Sequence, residues 1–201
     1  MEPVDPRLVH PQLRGLARAL SAEPGALADV DGAAARAAVA VALRPGPEDR
    51  LELLLIRRAE REGDPWSGQI ALPGGRWSPN DDSLLRTALR ETWEETGIDL
   101  SALGVVLGTL DEVRPRTAAL PAIIITPVVV ALDAPAPLIL SDEVADAFWV
   151  PVDVLREPGS TRESQVHARG VTWQVPSFVL GQHVVWGLTE RILRQLLARL
   201  G

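Results

Sequence analysis

Three closely spaced glutamates, Glu91, Glu94 and Glu95, are the residues whose type and spacing could do chemistry. An α-helix turns by about 100° per residue, so their carboxylates would fall within roughly a quarter-turn. Like charges at this spacing repel one another by about 0.2–0.5 kcal/mol per pair unless a cation lies between them. Oxygen-only ligation suits Mg²⁺ or Mn²⁺, which commonly bridge carboxylates to substrate phosphates. The pattern therefore predicts a divalent metal site, with a solvated acidic helix face as the alternative.

The flanking residues predict the helix that positions these carboxylates. Apolar and small residues at helical spacing on the opposite side favour a helix over 83–96. Gly97 suits a left-handed cap at its end. Asp81 and Asp82 suit its positive N-terminal end, and we interpret them as N-cap residues or, alternatively, as metal-site carboxylates.

The stretch from Gly74 to Ile98 resembles the Nudix box, the signature of the Nudix hydrolases. The second half, Arg90-Glu91-Thr92-Trp93-Glu94-Glu95-Thr96-Gly97-Ile98, follows the family pattern. The first half departs from it, because the spacing from Gly75 to Arg90 is one residue longer and an aspartate, Asp81 or Asp82, stands where glutamate is expected. A loop of this longer form is similar to the coenzyme A pyrophosphatase branch of the family.

The resemblance implies a role for each matching residue. In the family, glutamates at the positions of Glu91, Glu94 and Glu95 bind the metal, together with the carbonyl of the glycine at the position of Gly74. The glutamate at the position of Glu94 is either a ligand or the base that deprotonates water. A glycine suits the carbonyl position because no Cβ blocks the approach. Gly75 and Arg76 are implied as substrate contacts, and Arg90 and Gly97 as structural support, with Arg90 orienting a carboxylate.

A second resemblance lies upstream, where the sequence is similar to the motif that precedes the box in coenzyme A pyrophosphatases. The two matching segments are 54–59 and 68–75. Arg57 and Arg58 are predicted to bind substrate phosphate, with a surface pair at a strand end as the alternative. Asp64 stands where the motif has a second arginine, and Arg61 is a candidate replacement.

Residues outside these motifs are further candidates. Glu143 lies in a predicted loop and is either an additional catalytic carboxylate or a solvated side chain. Arg114 and Arg116 could meet a substrate phosphate. Trp66 and Trp77 could stack on an adenine base or pack a loop. The scattered histidines, which are predicted to be non-catalytic, are His10, His167 and His183.

Composition excludes several classes of function. A chain of 201 residues fits one domain, predicted as a helix and linker over 1–35 and a Nudix hydrolase domain over 36–201. The absence of cysteine excludes disulfides and thiolate catalysis and favours a cytoplasmic protein. The net charge of −7 argues against a nucleic-acid partner, and the sequence has no apolar run long enough to span a membrane. A homodimer is expected from the family resemblance.

The order of predicted elements favours an α/β fold. Helices are predicted over 6–20, 83–96 and 187–200, with a short helix that starts at Pro151. Strands are predicted over 37–43, 51–56, 69–72, 105–111, 122–132 and 147–150, followed by a hairpin of 171–175 with 184–186. This order fits the Nudix fold, in which a mixed β-sheet is sandwiched between helices.

The predicted function is metal-dependent hydrolysis of a diphosphate linkage in a small nucleotide derivative. The resemblance implies coenzyme A or an acyl derivative as substrate, cut to 4′-phosphopantetheine (or its acyl form) and adenosine 3′,5′-bisphosphate. The alternative substrates are ADP-ribose, another nucleoside diphosphate derivative or a nucleoside triphosphate. A catalytically silent ligand sensor would be expected to have lost box carboxylates, and this chain keeps all three.

Overall fold

The structure, a computed structural model, describes residues 5–29, 34–64, 66–115, 120–168 and 170–201. The helices in these ranges are α1 (Pro11–Ala22), α2 (Leu84–Thr96), α3 (Leu100–Leu103) and α4 (Gly187–Leu200). The strands are β1 (Ala35–Pro45), β2 (Leu51–Arg58), β3 (Ile70–Ala71), β4 (Gly74–Arg76), β5 (Gly104–Thr109), β6 (Ile123–Leu132), β7 (Val144–Pro151), β8 (Thr161–Ala168), β9 (Val171–Leu180) and β10 (His183–Trp186). Short 3₁₀ segments cover Pro47–Asp49 and Val152–Arg156.

A mixed sheet of seven strands organises the fold. Its main path runs β3-β2-β1-β6-β5, and two further strands join it, because β4 also pairs with β1 and β7 with β2. β1 and β6 run parallel from Ala35 opposite Ile123 to Leu43 opposite Ala131, whereas β2 and β4 pair with β1 in antiparallel fashion. A second sheet has the antiparallel order β10-β9-β8. The predicted α/β class with a mixed sheet is confirmed.

The two faces of the large sheet carry separate hydrophobic cores. α2 packs on one face, and α1, α4 and the small sheet contribute to the core on the other. Along β2, Leu53 and Leu55 belong to the second core and Leu54 to the first. Successive side chains of a strand point to opposite faces, so the same alternation directs Arg57 and Arg58, at the end of β2, to different sides of the sheet.

α2 is capped at both ends. Ser83 is the N-cap, and its hydroxyl accepts a hydrogen bond from the Arg86 N–H at 3.2 Å. Gly97 ends the helix in the left-handed conformation (φ 73°) and donates its N–H to the Trp93 carbonyl at 2.8 Å. The predicted cap at Gly97 is therefore confirmed. The N-cap interpretation of Asp81 and Asp82 is wrong, because Ser83 takes that position.

α1 covers the second core with three buried side chains, Leu13, Leu16 and Leu20. The helix begins at Pro11 rather than at residue 6, because Pro11 occupies the first turn, where its missing N–H needs no partner.

Across the described ranges, no helix has the length and apolar character needed to span a membrane. The proposed division of the chain into 1–35 and 36–201 stays a prediction.

Two segments of the fold differ from the sequence prediction. Gly74 and Gly75 belong to strand β4, which pairs with Ala38 and Val39 of β1, although no strand is predicted at these positions. The predicted terminal hairpin forms between β9 and β10, but the predicted pairing of 171–175 with 184–186 is wrong, because β10 pairs with 177–180 while the start of β9 pairs with β8. The polar sequence of β8 lacks the apolar alternation that identifies a half-buried strand.

One substitution, glycine to alanine, should have opposite effects on two helices. At Gly97 a Cβ would lie 2.8 Å from the Ile139 Cβ, and the left-handed backbone disfavours any L side chain. We expect Gly97→Ala to lower the free energy of unfolding by about 1–3 kcal/mol. Gly15 lies inside α1, and no atom from outside its own helical turn lies within 4 Å of the position that a Cβ would occupy. Gly15→Ala should therefore raise the free energy of unfolding by about 0.5–1 kcal/mol. Urea unfolding measures the free-energy change of each variant, and changes of the same sign would contradict this account.

Candidate functional site

The acidic face of α2 lies directly against the glycine strand β4. The Gly74 N–H donates to the Glu95 carboxylate (Oε2) at 2.8 Å. A Cβ on Gly75 would come within 2.4 Å of the Glu91 carboxyl carbon, and one on Gly74 would come within 2.3 Å of the Ala38 carbonyl oxygen. The pairing of β4 with β1 therefore requires glycine at position 74, whereas a side chain at position 75 would displace the Glu91 carboxylate.

Arg90 binds three carboxylates. Its guanidinium donates in a bidentate manner to Asp81, with Nε–Oδ1 2.9 Å and Nη2–Oδ2 2.8 Å. Its Nη1 also donates to Glu91 at 2.8 Å and to Glu94 at 2.9 Å. Nη2 lies 3.3 Å from the Arg76 carbonyl oxygen, which links the side chain to β4. Arg90 thus binds two of the three box glutamates, and its role of orienting a carboxylate for catalysis stays a prediction.

Asp81 anchors Arg90 from the loop that precedes α2. The side chain is buried and accepts further hydrogen bonds from the Thr87 hydroxyl at 2.9 Å and the Ser78 N–H at 3.2 Å. The hydrogen bonds from Arg90 hold the pKa of Asp81 well below its usual range. By contrast, Asp82 is exposed and accepts from the Ser83 hydroxyl. Asp81, rather than Asp82, therefore takes part in the charge network of the box.

Burial dominates the electrostatics of Glu95. The residue is 3% exposed, and this burial raises its pKa to about 7, assisted by the nearby charges of Glu91 and Glu143. The Gly74 N–H and the charge of Arg58 act in the opposite direction. Burial also raises the pKa of Glu91, against the hydrogen bond from Arg90. Two adjacent carboxylates are thus held where their negative charge is disfavoured unless a cation joins them.

Glu143 reaches the same region from a distant loop. Its carboxylate pairs with Arg61 at 2.9 Å, and its carbonyl oxygen accepts from the Ala59 N–H at 2.8 Å. The charge of Glu143 acts on both Glu91 and Glu95. Tertiary structure therefore brings this half-exposed carboxylate beside the box glutamates, although its catalytic role stays a prediction.

The two predicted phosphate-binding arginines have different surroundings. Arg58 lies on the α2 side, where its charge acts on Glu95, and it forms a 2.8 Å ion pair with Asp64. Arg57 lines a cavity together with residues of the small sheet. Asp64, which replaces the second arginine of the upstream motif, thus draws Arg58 towards the loop and compensates part of its charge.

The remaining candidates lie away from the carboxylates or serve other contacts. Arg114 donates to the Asp29 carbonyl oxygen at 3.4 Å, and Arg116 lies outside the described residues. The Trp77 indole N–H donates to the Asp81 carbonyl oxygen at 3.1 Å, which supports packing of the loop. Arg76, predicted to bind substrate, is exposed at the end of β4. The contacts of the histidines are His10 with the Asp49 carbonyl, His167 with Thr172, and His183 with Phe148.

The candidate ligand atoms are the carboxylate oxygens of Glu91, Glu94 and Glu95 and the carbonyl oxygen of Gly74. Because all of them are oxygens and some belong to buried carboxylates, they suit Mg²⁺ or Mn²⁺. Among the described residues, no three acidic or imidazole side chains converge as a formed metal cluster. The reason is visible in the contacts, since Arg90 binds Glu91 and Glu94 while the Gly74 N–H binds Glu95. A cation would compete with these hydrogen bonds for carboxylates that are already in place.

Comparison with known proteins identifies the family. A NUDIX domain model matches residues 34–173, so the chain belongs to the Nudix family. Two relatives named uncharacterized Nudix hydrolase NudL, from Yersinia pestis (strain Pestoides F) and Yersinia pseudotuberculosis serotype O:1b (strain IP 31758), are 35% identical over 162 residues, which cover 80% of this chain and 77% of each relative. The protein is therefore a Nudix hydrolase. Members of this family generally use divalent metal ions and act on small nucleotide derivatives.

A solved structure confirms the predicted Nudix fold. The MutT/nudix family protein from Enterococcus faecalis superposes with a TM-score of 0.58 at 22% sequence identity. The superposition covers 85% of this chain and 64% of that chain, so the protein spans less than two thirds of that relative. At this identity the likeness concerns the fold alone.

Two neighbouring aspartates should differ sharply in their contribution to stability. Asp81→Ala removes a buried partner of Arg90, Thr87 and Ser78, and we expect it to lower the free energy of unfolding by about 2–4 kcal/mol. Asp82→Ala, the matched control on an exposed residue, should change it by less than about 0.5 kcal/mol. Chemical denaturation of both variants measures the difference, and similar losses would contradict the anchoring role of Asp81.

The raised pKa of Glu95 predicts a specific pH dependence of stability. Folded Glu95 has a pKa of about 7, against a reference value of 4.5, so the folded metal-free protein binds this proton more tightly than the unfolded chain. Raising the pH from about 4.5 to about 7 therefore lowers the contribution of Glu95 to the free energy of unfolding of the wild type. Glu95→Gln lacks this titration, and its stability relative to the wild type should rise across that window by about 2–4 kcal/mol.

Denaturation in a chelator at several pH values would test this expectation. The control is Glu163→Gln, which alters an exposed glutamate of β8 and should show a constant difference from the wild type. A pH-independent difference for Glu95→Gln would contradict the burial of an ionisable Glu95.

Proposed function

We propose that this Nudix hydrolase cleaves a diphosphate linkage with water at the acidic face of α2. The observation that supports this most is the burial of Glu95 beside Glu91, with Glu143 close enough to raise the pKa of both. Carboxylates held together against their own repulsion are suited to a divalent cation and a phosphate-rich substrate. A solvated acidic helix face would show neither the burial nor the raised pKa of Glu95.

The residues that would hold the cation are Glu91, Glu94, Glu95 and the carbonyl of Gly74. A bound Mg²⁺ or Mn²⁺ would neutralise charge on the diphosphate and lower the pKa of a bound water. Glu94, which is half exposed, is either a further ligand or the base that takes a proton from the attacking water. Glu143 is the second candidate for this base, and Arg61 holds its carboxylate in position. Arg90 orients Glu91 and Glu94 through its hydrogen bonds to their carboxylates.

Coenzyme A or an acyl derivative is the leading substrate, and the products would be 4′-phosphopantetheine (or its acyl form) and adenosine 3′,5′-bisphosphate. Support comes from the upstream motif, whose first arginine position, Arg58, lies on the same side of the sheet as Glu95. The alternatives are ADP-ribose, another nucleoside diphosphate derivative or a nucleoside triphosphate. The replacement of the second motif arginine by Asp64 is the feature that favours these alternatives. A cytoplasmic homodimer stays a prediction.

Removing the charge of a box glutamate should abolish most of the activity. Glu91→Gln and Glu95→Gln keep the side-chain shape, and we expect each to lower kcat by about 100-fold or more at saturating Mg²⁺. Glu163→Gln, an exposed glutamate of β8, is the control and should retain full activity. Wild-type turnover by either box variant would exclude the metal assignment.

The substrate is tested by hydrolysis of a panel, with products resolved by mass spectrometry. The panel contains coenzyme A, acetyl-coenzyme A, ADP-ribose, NADH, a diadenosine polyphosphate and dGTP, each with Mg²⁺ and with Mn²⁺. A preference for coenzyme A with release of adenosine 3′,5′-bisphosphate supports the leading proposal. Preference for another compound would replace the substrate and keep the diphosphate chemistry, whereas no turnover of any compound would favour a ligand sensor.

A further inference from the structure

A cavity of about 1080 Å³ lies where the end of β2 meets β3 and the small sheet. Its walls include Arg57 and Ile70 from the large sheet, Asp64 from the intervening loop, and His183 and Trp186 from β10. Ligand pockets for small molecules commonly measure about 300–1,000 Å³, so this volume exceeds what a diphosphate alone requires. The cavity can hold a whole nucleoside.

An ion pair links the wall of the cavity to Arg58, which lies on the α2 side of the sheet. Asp64 lines the cavity and binds Arg58 at 2.8 Å, and the charge of Arg58 acts on Glu95. A substrate whose diphosphate lies at the carboxylates could therefore extend one of its halves past Arg58 into the cavity.

Among the described residues that line the cavity, Arg57 is the one arginine. Its guanidinium forms no hydrogen bond or ion pair with the described residues, whereas the other two arginines of this region are paired, Arg58 with Asp64 and Arg61 with Glu143. Arg57 is also partly buried, so solvent compensates its charge incompletely. A planar guanidinium in such a place suits a phosphate group, which it can bind through two parallel hydrogen bonds.

His183 supplies an aromatic surface next to this cation. Its ring stacks on Phe148 with 4.6 Å between the centroids and 16° between the planes. His183 lines the cavity, whereas Phe148 is not part of its wall. Ring faces of this kind bind nucleobases by stacking, largely without regard to the identity of the base.

We propose that this cavity binds a nucleoside that carries a phosphate on its ribose, in addition to the diphosphate that is cleaved. Arg57 binds the ribose phosphate, and the His183 ring stacks on the base. The inference rests on the proposed function, and it selects among the candidate substrates, because adenosine in coenzyme A carries such a phosphate and adenosine in ADP-ribose does not.

Calorimetric titration with adenosine 3′,5′-bisphosphate and with AMP, both in Mg²⁺, tests the assignment of Arg57. The wild type should bind the bisphosphate more tightly. Arg57→Gln should weaken bisphosphate binding by about 10- to 100-fold and change AMP binding by less than about 2-fold. Arg162→Gln is the matched control, since it removes one positive charge from an exposed position outside the cavity, and it should alter neither affinity.

Three results would overturn the proposal: no measurable binding of the bisphosphate to the wild type, an unchanged affinity in Arg57→Gln, or equal weakening of both nucleotides. Equal weakening would mean that Arg57 binds the phosphate common to both ligands. His183→Ala should weaken both nucleotides by a similar factor, and His183→Phe, which keeps a ring, should restore most of the affinity. Loss of affinity in His183→Phe equal to that in His183→Ala would overturn the stacking role.

Kinetics separate this proposal from the proposed function. The wild type should hydrolyse coenzyme A with a higher kcat/KM than 3′-dephospho-coenzyme A, and Arg57→Gln should remove most of that preference by raising KM. If Glu95→Gln abolishes turnover while Arg57→Gln preserves the preference, the proposed function stands and the role of Arg57 is overturned. If Arg57 controls bisphosphate binding but no diphosphate is hydrolysed, the proposed function fails instead.

Discussion

The contact between α2 and the glycine strand β4 fixes the geometry of the acidic site, because glutamate side chains of the helix lie directly against the backbone of the strand. Pairing of β4 with β1 holds the Gly74 peptide in place, and its N–H meets the Glu95 carboxylate at 2.8 Å. The absence of a Cβ at Gly75 leaves room for the Glu91 carboxylate. The two glycines thus serve different contacts, because Gly74 lets β4 pair closely with β1 and Gly75 leaves room for the Glu91 carboxylate.

This close packing buries negative charge, and the surrounding arginines compensate it unevenly. Arg90 neutralises Glu91 and Glu94 from one side and is itself fixed by Asp81. Glu95 receives an N–H from Gly74 and the more distant charge of Arg58, so burial prevails and raises its pKa to about 7. The charge that remains uncompensated is concentrated at Glu95 and its neighbours, which is where the family resemblance implies that a cation binds.

Strand β2 separates two environments at its end. Because side chains alternate along the strand, Arg58 lies on the side of the carboxylates and Arg57 on the side of the cavity at the small sheet, so adjacent residues face two different environments. The loop that follows β2 joins these environments, since Asp64 lines the cavity and binds Arg58. The phosphate recognition that we propose would therefore divide between two arginines that are adjacent in the sequence.

The sequence by itself determined the box helix, its glycine cap, the α/β class and the family, because helical spacing, capping and a long motif are local properties. It also identified Glu91, Glu94 and Glu95 as a group. It could not show that Asp81 anchors Arg90, that Glu143 approaches from a loop about fifty residues away, or that β8 completes the small sheet. These features depend on contacts between distant segments, and the charges and burial at the site arise from those contacts. Only the tertiary structure decided them, because the pKa of a carboxylate and the partner of an arginine depend on neighbours in space rather than on neighbours in sequence.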